Sequence, residues 1–421
     1  MKNKKALYTL LTANAISQFA QGISMLAIPW YFAKQLGEAS FFATFYAIAT
    51  FATLFWGLYA GTLIDKFPRK NIFLGLCAVS FTVLALVSGY GFFAGAVPMT
   101  LVALVFCFTI FNYNIHYPTL YAFGQEITEK ENYGKTNSLL EVIGQTTNVL
   151  SGAMAIVLIE GLDIHVLDYH LQIEAWSIQK IFALDASTYL VAMALIKSIK
   201  YIPTVEKVAV SKENAWVRLK EGVQFLKSNP LIFHFGNASY TVFIFVLITT
   251  HLLWPMYIDQ HLQVEGDIYA STKVLYALGA VISGFFITKL LKLMNTVVAV
   301  ILLMTIATVA FTLLSVSQNV MVLLGLGIFF GVSNAGVRIL RVTYLFNHIP
   351  NHVIGRSNSV FQSINIFLRS AFIGLFSFDF FSEGSNIIWA FVIAAAATLL
   401  SIVPLVVYYK RLVGREKLTS N

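Results

Sequence analysis

The sequence predicts an all-α membrane protein of twelve transmembrane helices arranged as two six-helix halves. Three observations predict it. First, 58% of the 421 residues are hydrophobic and 11% charged, whereas soluble domains carry about a quarter charged residues. The mean hydropathy is +0.75. Second, apolar runs long enough to cross a bilayer, about 20 residues each, recur along the chain. They lie near 8–33, 41–64, 72–93, 97–122, 138–159, 178–197, 231–257, 269–290, 295–316, 320–346, 358–380 and 386–409. Third, Gly134-Lys135-Thr136-Asn137-Ser138 at the fifth run returns as Gly355-Arg356-Ser357-Asn358-Ser359 at the eleventh, 221 positions later. A fainter echo relates the stretch from Gly61 to the stretch Gly284–Lys292, with Thr288 where the first copy has Asp65. Two matches at nearly one offset, about half the chain, imply a parallel duplication. The halves are then 1–200 and 231–421, joined by a linker over 201–230.

Taken in order, the first run follows Lys2, Lys4 and Lys5. It is too long for a signal peptide and lacks a small-residue cleavage site, so it is expected to insert and stay. In the linker, Ala215–Leu226 alternates apolar and charged positions at helical spacing, which predicts an amphipathic helix on the membrane surface. Asn229-Pro230 ends it. Most of the 28 Lys and Arg fall on one side of the expected spans. Only Lys34, Lys180 and Lys273 fall on the other, and Arg338, Arg341 and Arg369 lie within spans. This asymmetry puts both termini in the cytoplasm. The net charge of +8 is therefore topological, and its scatter argues against a nucleic-acid partner. Cys77 and Cys107 both sit in apolar runs, with no disulfide framework or metal-type spacing.

The most specific stretch is Gly61-Thr62-Leu63-Ile64-Asp65-Lys66-Phe67-Pro68-Arg69-Lys70-Asn71, between runs two and three. Gly57 and Gly61 share a helix face that admits a close neighbour. Asp65 sits at the helix exit, followed by the cations Lys66, Arg69 and Lys70. This pattern resembles the signature loop of the major facilitator superfamily, departing from it at Ile64, Lys66 and Pro68. Lys66 keeps the charge of the usual Arg without its bidentate fork, and Pro68 stiffens the turn. The resemblance implies the major facilitator fold and alternating access by rocking of two halves about a midplane site. Gly61, Asp65, Lys66, Arg69 and Lys70 are then expected to gate it. A helix N-terminus attracts a carboxylate, so Asp65 is expected to latch onto the start of span eleven. Lys66, Arg69 and Lys70 would add ion pairs with Glu126, Glu129 or Glu131, each contributing about 0–1 kcal/mol.

Intramembrane polar groups are costly and normally face a cavity or a partner helix. Span one carries Asn14, Gln18 and Gln21 at i, i+4, i+7, on one face. Span five carries Glu141, Gln145 and Asn148; span ten Asn334, Arg338 and Arg341; span eleven Gln362, Asn365 and Arg369; span four Asn112 and His116. The alternatives are a water-filled, substrate-binding cavity and interhelical hydrogen bonding across a dry interface. Four aligned stripes with three arginines favour the cavity. Nothing acidic in the arginine stripes neutralises them, so an anionic or carboxylate-bearing ligand is expected, held by bidentate hydrogen bonds. Glu141 and Asp185 are the intramembrane carboxylates that could carry a proton, and Asp185 could instead partner a nearby amide or Arg. His116, His234 and His251 lack the i, i+4 pairing of a metal site, so neither metal nor cofactor is expected. Trp30, Tyr113 and Tyr240 could stack on an aromatic ligand.

Ala15-Ile16-Ser17-Gln18, Ala27-Ile28-Pro29-Trp30-Tyr31, Phe182-Ala183-Leu184-Asp185-Ala186 and Glu221-Gly222 with Asn229-Pro230 are similar to the branch holding macrolide-efflux and enterobactin-exporter-type proteins. The span-four arginine of many drug/proton antiporters is absent, and span five keeps Gly144 and Gly152 without the accompanying proline. The resemblance implies a monomer in a bacterial inner membrane that exports bulky amphipathic molecules, siderophores or drugs, with protons or another ion as partner. Uptake of a siderophore or nutrient by the same fold remains open, since direction is not set by fold. So does a membrane receptor without transport. No nucleophile–base pair points to an enzyme.

Overall fold

The computed structural model describes residues 4–129, 133–166, 169–200 and 215–419. The side chains of some helical residues, among them Gly61, Asp65, Lys66, Thr288, Glu141 and Gln145, lie outside the described residues, as does Glu131. Long helices dominate: α1 (Lys4–Trp30), α2 (Ala39–Lys66), α3 (Arg69–Ala94), α4 (Met99–Glu126), α5 (Tyr133–Glu160) and α6 (Ile178–Ser198). After the linker come α7 (Ala215–Ser228) and α8, a continuous run Pro230–Leu262. Then follow α9 (Gly266–Leu293), α10 (Thr296–Val316), α11 (Val320–His348), α12 (Asn351–Phe376), α13 (Ile388–Val407) and α14 (Tyr409–Thr419).

Among the described residues, eleven helices are long and apolar enough to cross a membrane. The twelfth long helix, α1, is not among them. Its 27 residues reach about 40 Å at 1.5 Å per residue, but Asn14, Gln18 and Gln21 dilute its apolar character. The α5–α6 connection forms an antiparallel hairpin, β1 (Leu162–Val166) with β2 (Tyr169–Ile173).

The chain folds as two compact units, Met1–Glu38 with Ile48–Lys212, and Ala39–Ala47 with Glu213–Asn421. The opening residues of α2 thus belong to the second unit. The duplication shows in the first helix of each half. Pro29 precedes a π turn at Tyr31–Gln35, and Pro255 sits between π turns at Thr249–Leu253 and Tyr257–Leu262. A proline lacks the N–H for its i−4 bond, and the ladder re-registers around it as a wider turn. Both helices end in left-handed backbone, at Gly37 (φ 69°) and Gln263 (φ 54°), the conformation that closes a helix C-terminus.

In the first unit, α1 meets α5 where Gly22 faces Ser151, whose hydroxyl donates to the Phe19 carbonyl at 2.8 Å. α3 meets α6 through Ser88, which donates to the Gln179 carbonyl at 2.8 Å. At the other end of α6, Lys70 Nζ donates to the carbonyls of Lys197 (2.9 Å) and Ile199 (2.6 Å). That is the helix end where a cation is favoured.

In the second unit, α9 and α11 pack backbone to backbone. A Cβ at Gly279 would overlap the Ile328 carbonyl, and one at Gly331 the Tyr276 carbonyl. The amphipathic α7 packs against protein. Leu226 joins Ile232, Tyr240, Leu345, Ile349, Val360 and Phe361 in one core, with Leu219 and Val223 against it. Gly222 lies against the Arg356 carbonyl at the start of α12, and Glu221 pairs with Arg356. The expected membrane-surface helix thus uses its apolar stripe inside the second unit, because the missing side chain at Gly222 lets α12 approach.

Candidate functional site

The first unit gathers Asn14, Gln18 and His116 into one buried knot. His116 Nε2 donates to Asn14 Oδ1 at 2.9 Å, and Asn14 Nδ2 donates to Gln18 Oε1 at 3.3 Å. Gln18 Nε2 lies 3.5 Å from the same imidazole nitrogen. The i, i+4 spacing on α1 presents both amides to α4, and the His116 ring packs on Phe73 with centroids 4.8 Å apart. Gln21 is also buried. Asn112, one turn before His116, donates through Nδ2 to Ser80 Oγ at 2.7 Å. These bonds tie α1, α3 and α4 to one another.

Asp185 is 2% exposed. Ser24 Oγ donates to its Oδ2 at 2.7 Å, and Oδ1 finds no hydrogen-bond partner. Glu141 and Gln145 fall outside the described side chains. Asn148, on the same helix, is exposed. Of the expected gating set, Arg69 Nε lies 3.4 Å from Glu126 Oε1, and Lys70 caps α6. Gly61, Asp65 and Lys66 lie outside the described side chains.

In the second unit the span-ten stripe divides. Arg341 turns inward, where Nη1 donates to the Ser239 carbonyl at 3.1 Å and the guanidinium lies 3.6 Å from the Tyr240 ring centre. That arrangement combines a hydrogen bond with a cation–π contact. Asn334 Nδ2 donates to Tyr276 Oη at 2.7 Å, and Arg338 is exposed. On α12, Gln362 is exposed and Arg369 half-buried, with no hydrogen-bond partner for its Nε. Asn365, one turn before Arg369, is 1% exposed, and neither Oδ1 nor Nδ2 has a partner. Buried amides are normally paired, so the orphaned Asn365, one turn from the orphaned Nε of Arg369, is an exception to that rule.

Lys273, counted from sequence with the outer-side cations, belongs to this set. It lies about two turns inside α9, half-buried, with Nζ 5.8 Å from the Tyr269 ring centre. Tyr269 in turn donates to the Thr250 carbonyl at 2.9 Å. Tyr46 stands beside His251, ring centroids 6.3 Å apart, with Arg369 in electrostatic reach of both. No group of three or more His, Cys, Asp or Glu that could hold a metal occurs among the described residues.

The model of the Major Facilitator Superfamily matches residues 10–373. The chain belongs to the major facilitator superfamily. This facilitator is 22% identical over 287 residues to macrolide efflux protein A of Streptococcus pyogenes, a match covering 68% of this chain. The same match is found in the serotype M6 strain. The chain spans 66% of the length of these curated relatives, just under two thirds. Among solved structures, a mutant of the nucleoside transporter NupG superposes with a TM-score of 0.74 at 12% identity, covering 96% of this chain and 99% of that one. The POT family transporter PepTSo gives 0.72 at 10% identity, covering 97% and 98%. A bacterial homologue of the iron transporter ferroportin gives 0.67 at 14%, covering 96% and 98%. At these identities the structures establish the fold alone. These relatives and neighbours are transporters, not enzymes.

Proposed function

We propose that this facilitator is a secondary active exporter of an amphipathic small molecule bearing a carboxylate or similar anion, driven by protons through alternating access. The observation that carries the reading is the cation set of the second unit. Arg338, Arg369 and Lys273 stand on helices that otherwise read as membrane spans, and the orphaned Asn365 lies one turn from Arg369. Cations within membrane-spanning helices are costly, and an anionic ligand relieves that cost through charge-assisted hydrogen bonds. Efflux as the direction rests on the similarity to macrolide efflux protein A. Glu141 is the group proposed to carry the proton, with Asp185 as the alternative. A siderophore-type ligand, whose chelating groups are anionic, suits this charge better than a lipophilic cation.

Transport in proteoliposomes carrying a pH gradient tests the reading. Carboxylate-bearing amphiphiles should move saturably, and Arg338→Ala and Arg369→Ala should each weaken apparent affinity about tenfold or more, the loss of one charge-assisted pair. Saturable transport of lipophilic cations, unaffected by either substitution, would overturn it.

A further inference from the structure

The two units treat equivalent helix pairs in opposite ways. In the second, Gly279, Gly327 and Gly331 let α9 and α11 touch backbone to backbone. At the duplication offsets the first unit has Trp56, Phe106 and Ile110 in their places. In the first unit a cavity of about 470 Å³ lies among α2, α3 and α4. Trp56, Leu76, Phe108, Phe111, Asn112 and Ile115 are among its walls. The volume falls in the range of small-molecule sites, roughly 300–1,000 Å³.

The walls are apolar and held in place. Trp56 Nε1 donates to the Phe111 carbonyl at 2.9 Å, and the two rings lie 5.6 Å apart. The indole is therefore satisfied and presents carbon to the cavity. Asn112 is different. It is 4% exposed, its Nδ2 is committed to Ser80, and its Oδ1 has no donor. An unmet buried acceptor carries a desolvation cost. A plain hydrocarbon chain would fill the cavity and leave that cost in place.

We propose that this cavity is a binding site, separate from the cation set of the second unit, for a small molecule with an apolar body and one hydroxyl or N–H donor. The donor meets Asn112 Oδ1, and the body lies against Trp56, Phe108 and Phe111. The rim residues Trp56, Leu63, Phe67 and Val79 are exposed, so the site is reached from outside the unit. The site does not depend on the direction of transport or on its coupling ion.

The test uses the purified full-length protein in detergent and two photoactivatable probes, a diazirine derivative of decanol and its methyl ether. Labelled peptides are located by mass spectrometry. The alcohol should label segments 56–79 and 108–115 several-fold more than the ether, which has no donor. Asn112→Leu should abolish that preference. Gly75 lines the same cavity and has open space where a Cβ would stand. Gly75→Leu should therefore fill the site without strain and reduce labelling by both probes. Equal labelling by alcohol and ether in the unsubstituted protein would mean occupancy by any acyl chain and would overturn the proposal. Labelling undiminished by Gly75→Leu would overturn it as well.

Discussion

Ser24 on α1 donates to Asp185 on α6 at 2.7 Å, and the second carboxylate oxygen of Asp185 has no hydrogen-bond partner. One intramembrane carboxylate is therefore half satisfied by the structure. Its bond to Ser24 gives it a joining role between two helices of the first unit. That bond does not by itself require the carboxylate to exchange a proton.

Glu141→Gln is expected to abolish transport driven by a pH gradient while leaving ligand binding intact. Asp185→Asn keeps an acceptor for Ser24 and should retain gradient-driven transport. Proteoliposome assays of both variants separate the roles. Normal transport by Glu141→Gln with loss in Asp185→Asn would assign the proton to Asp185.

The knot of Asn14, Gln18 and His116 should be worth more than its area. Asn14→Leu leaves the imidazole Nε2 without its acceptor and should destabilise the protein by about 1–3 kcal/mol. The double variant Asn14→Leu/His116→Phe should cost less than the sum of the single ones, since both partners are then apolar. Thermal melts of the three variants in one detergent measure this.

Gly331→Ala places a methyl group into the Tyr276 carbonyl, so α9 and α11 must separate. Overpacking of this kind costs about 1–3 kcal/mol. Gly284→Ala on α9 meets nothing within 4 Å and should be neutral or slightly stabilising, as helix propensity favours alanine. A lower melting temperature for the first with none for the second is expected.

Glu221 and Arg356 join α7 to the start of α12. Glu221→Arg should expose the linker to limited proteolysis, and the exchange Glu221→Arg/Arg356→Glu should restore protection. Loss of protection in the exchange as well would show that packing around Gly222 and Leu226, and not the ion pair, holds α7.

Much of this architecture was legible along the chain because its cause is local. A helix hides its own backbone groups from lipid, so runs such as 296–316 or 388–407 declare themselves by composition. Asn14 and Gln18 announced a shared face by spacing alone, and the return of Gly134–Ser138 at Gly355–Ser359 announced the duplication. Family and helix count follow from those features.

What only the tertiary structure decided is where each polar group spends its hydrogen bonds. Arg338 and Arg341 stand three residues apart, a spacing the sequence reads as one stripe. One is exposed and the other is locked on Ser239 and Tyr240, because a helix turns about 100° per residue and a stripe straddles two environments. Lys273 counts by sequence with the outer-side cations, and it lies about two turns inside α9 beside Tyr269. The cavity beside Asn112 had no signature at all. Its walls come from three helices, residues 56–67, 71–79 and 108–115, and the space left between helices depends on how they pack, which no local pattern in the sequence records.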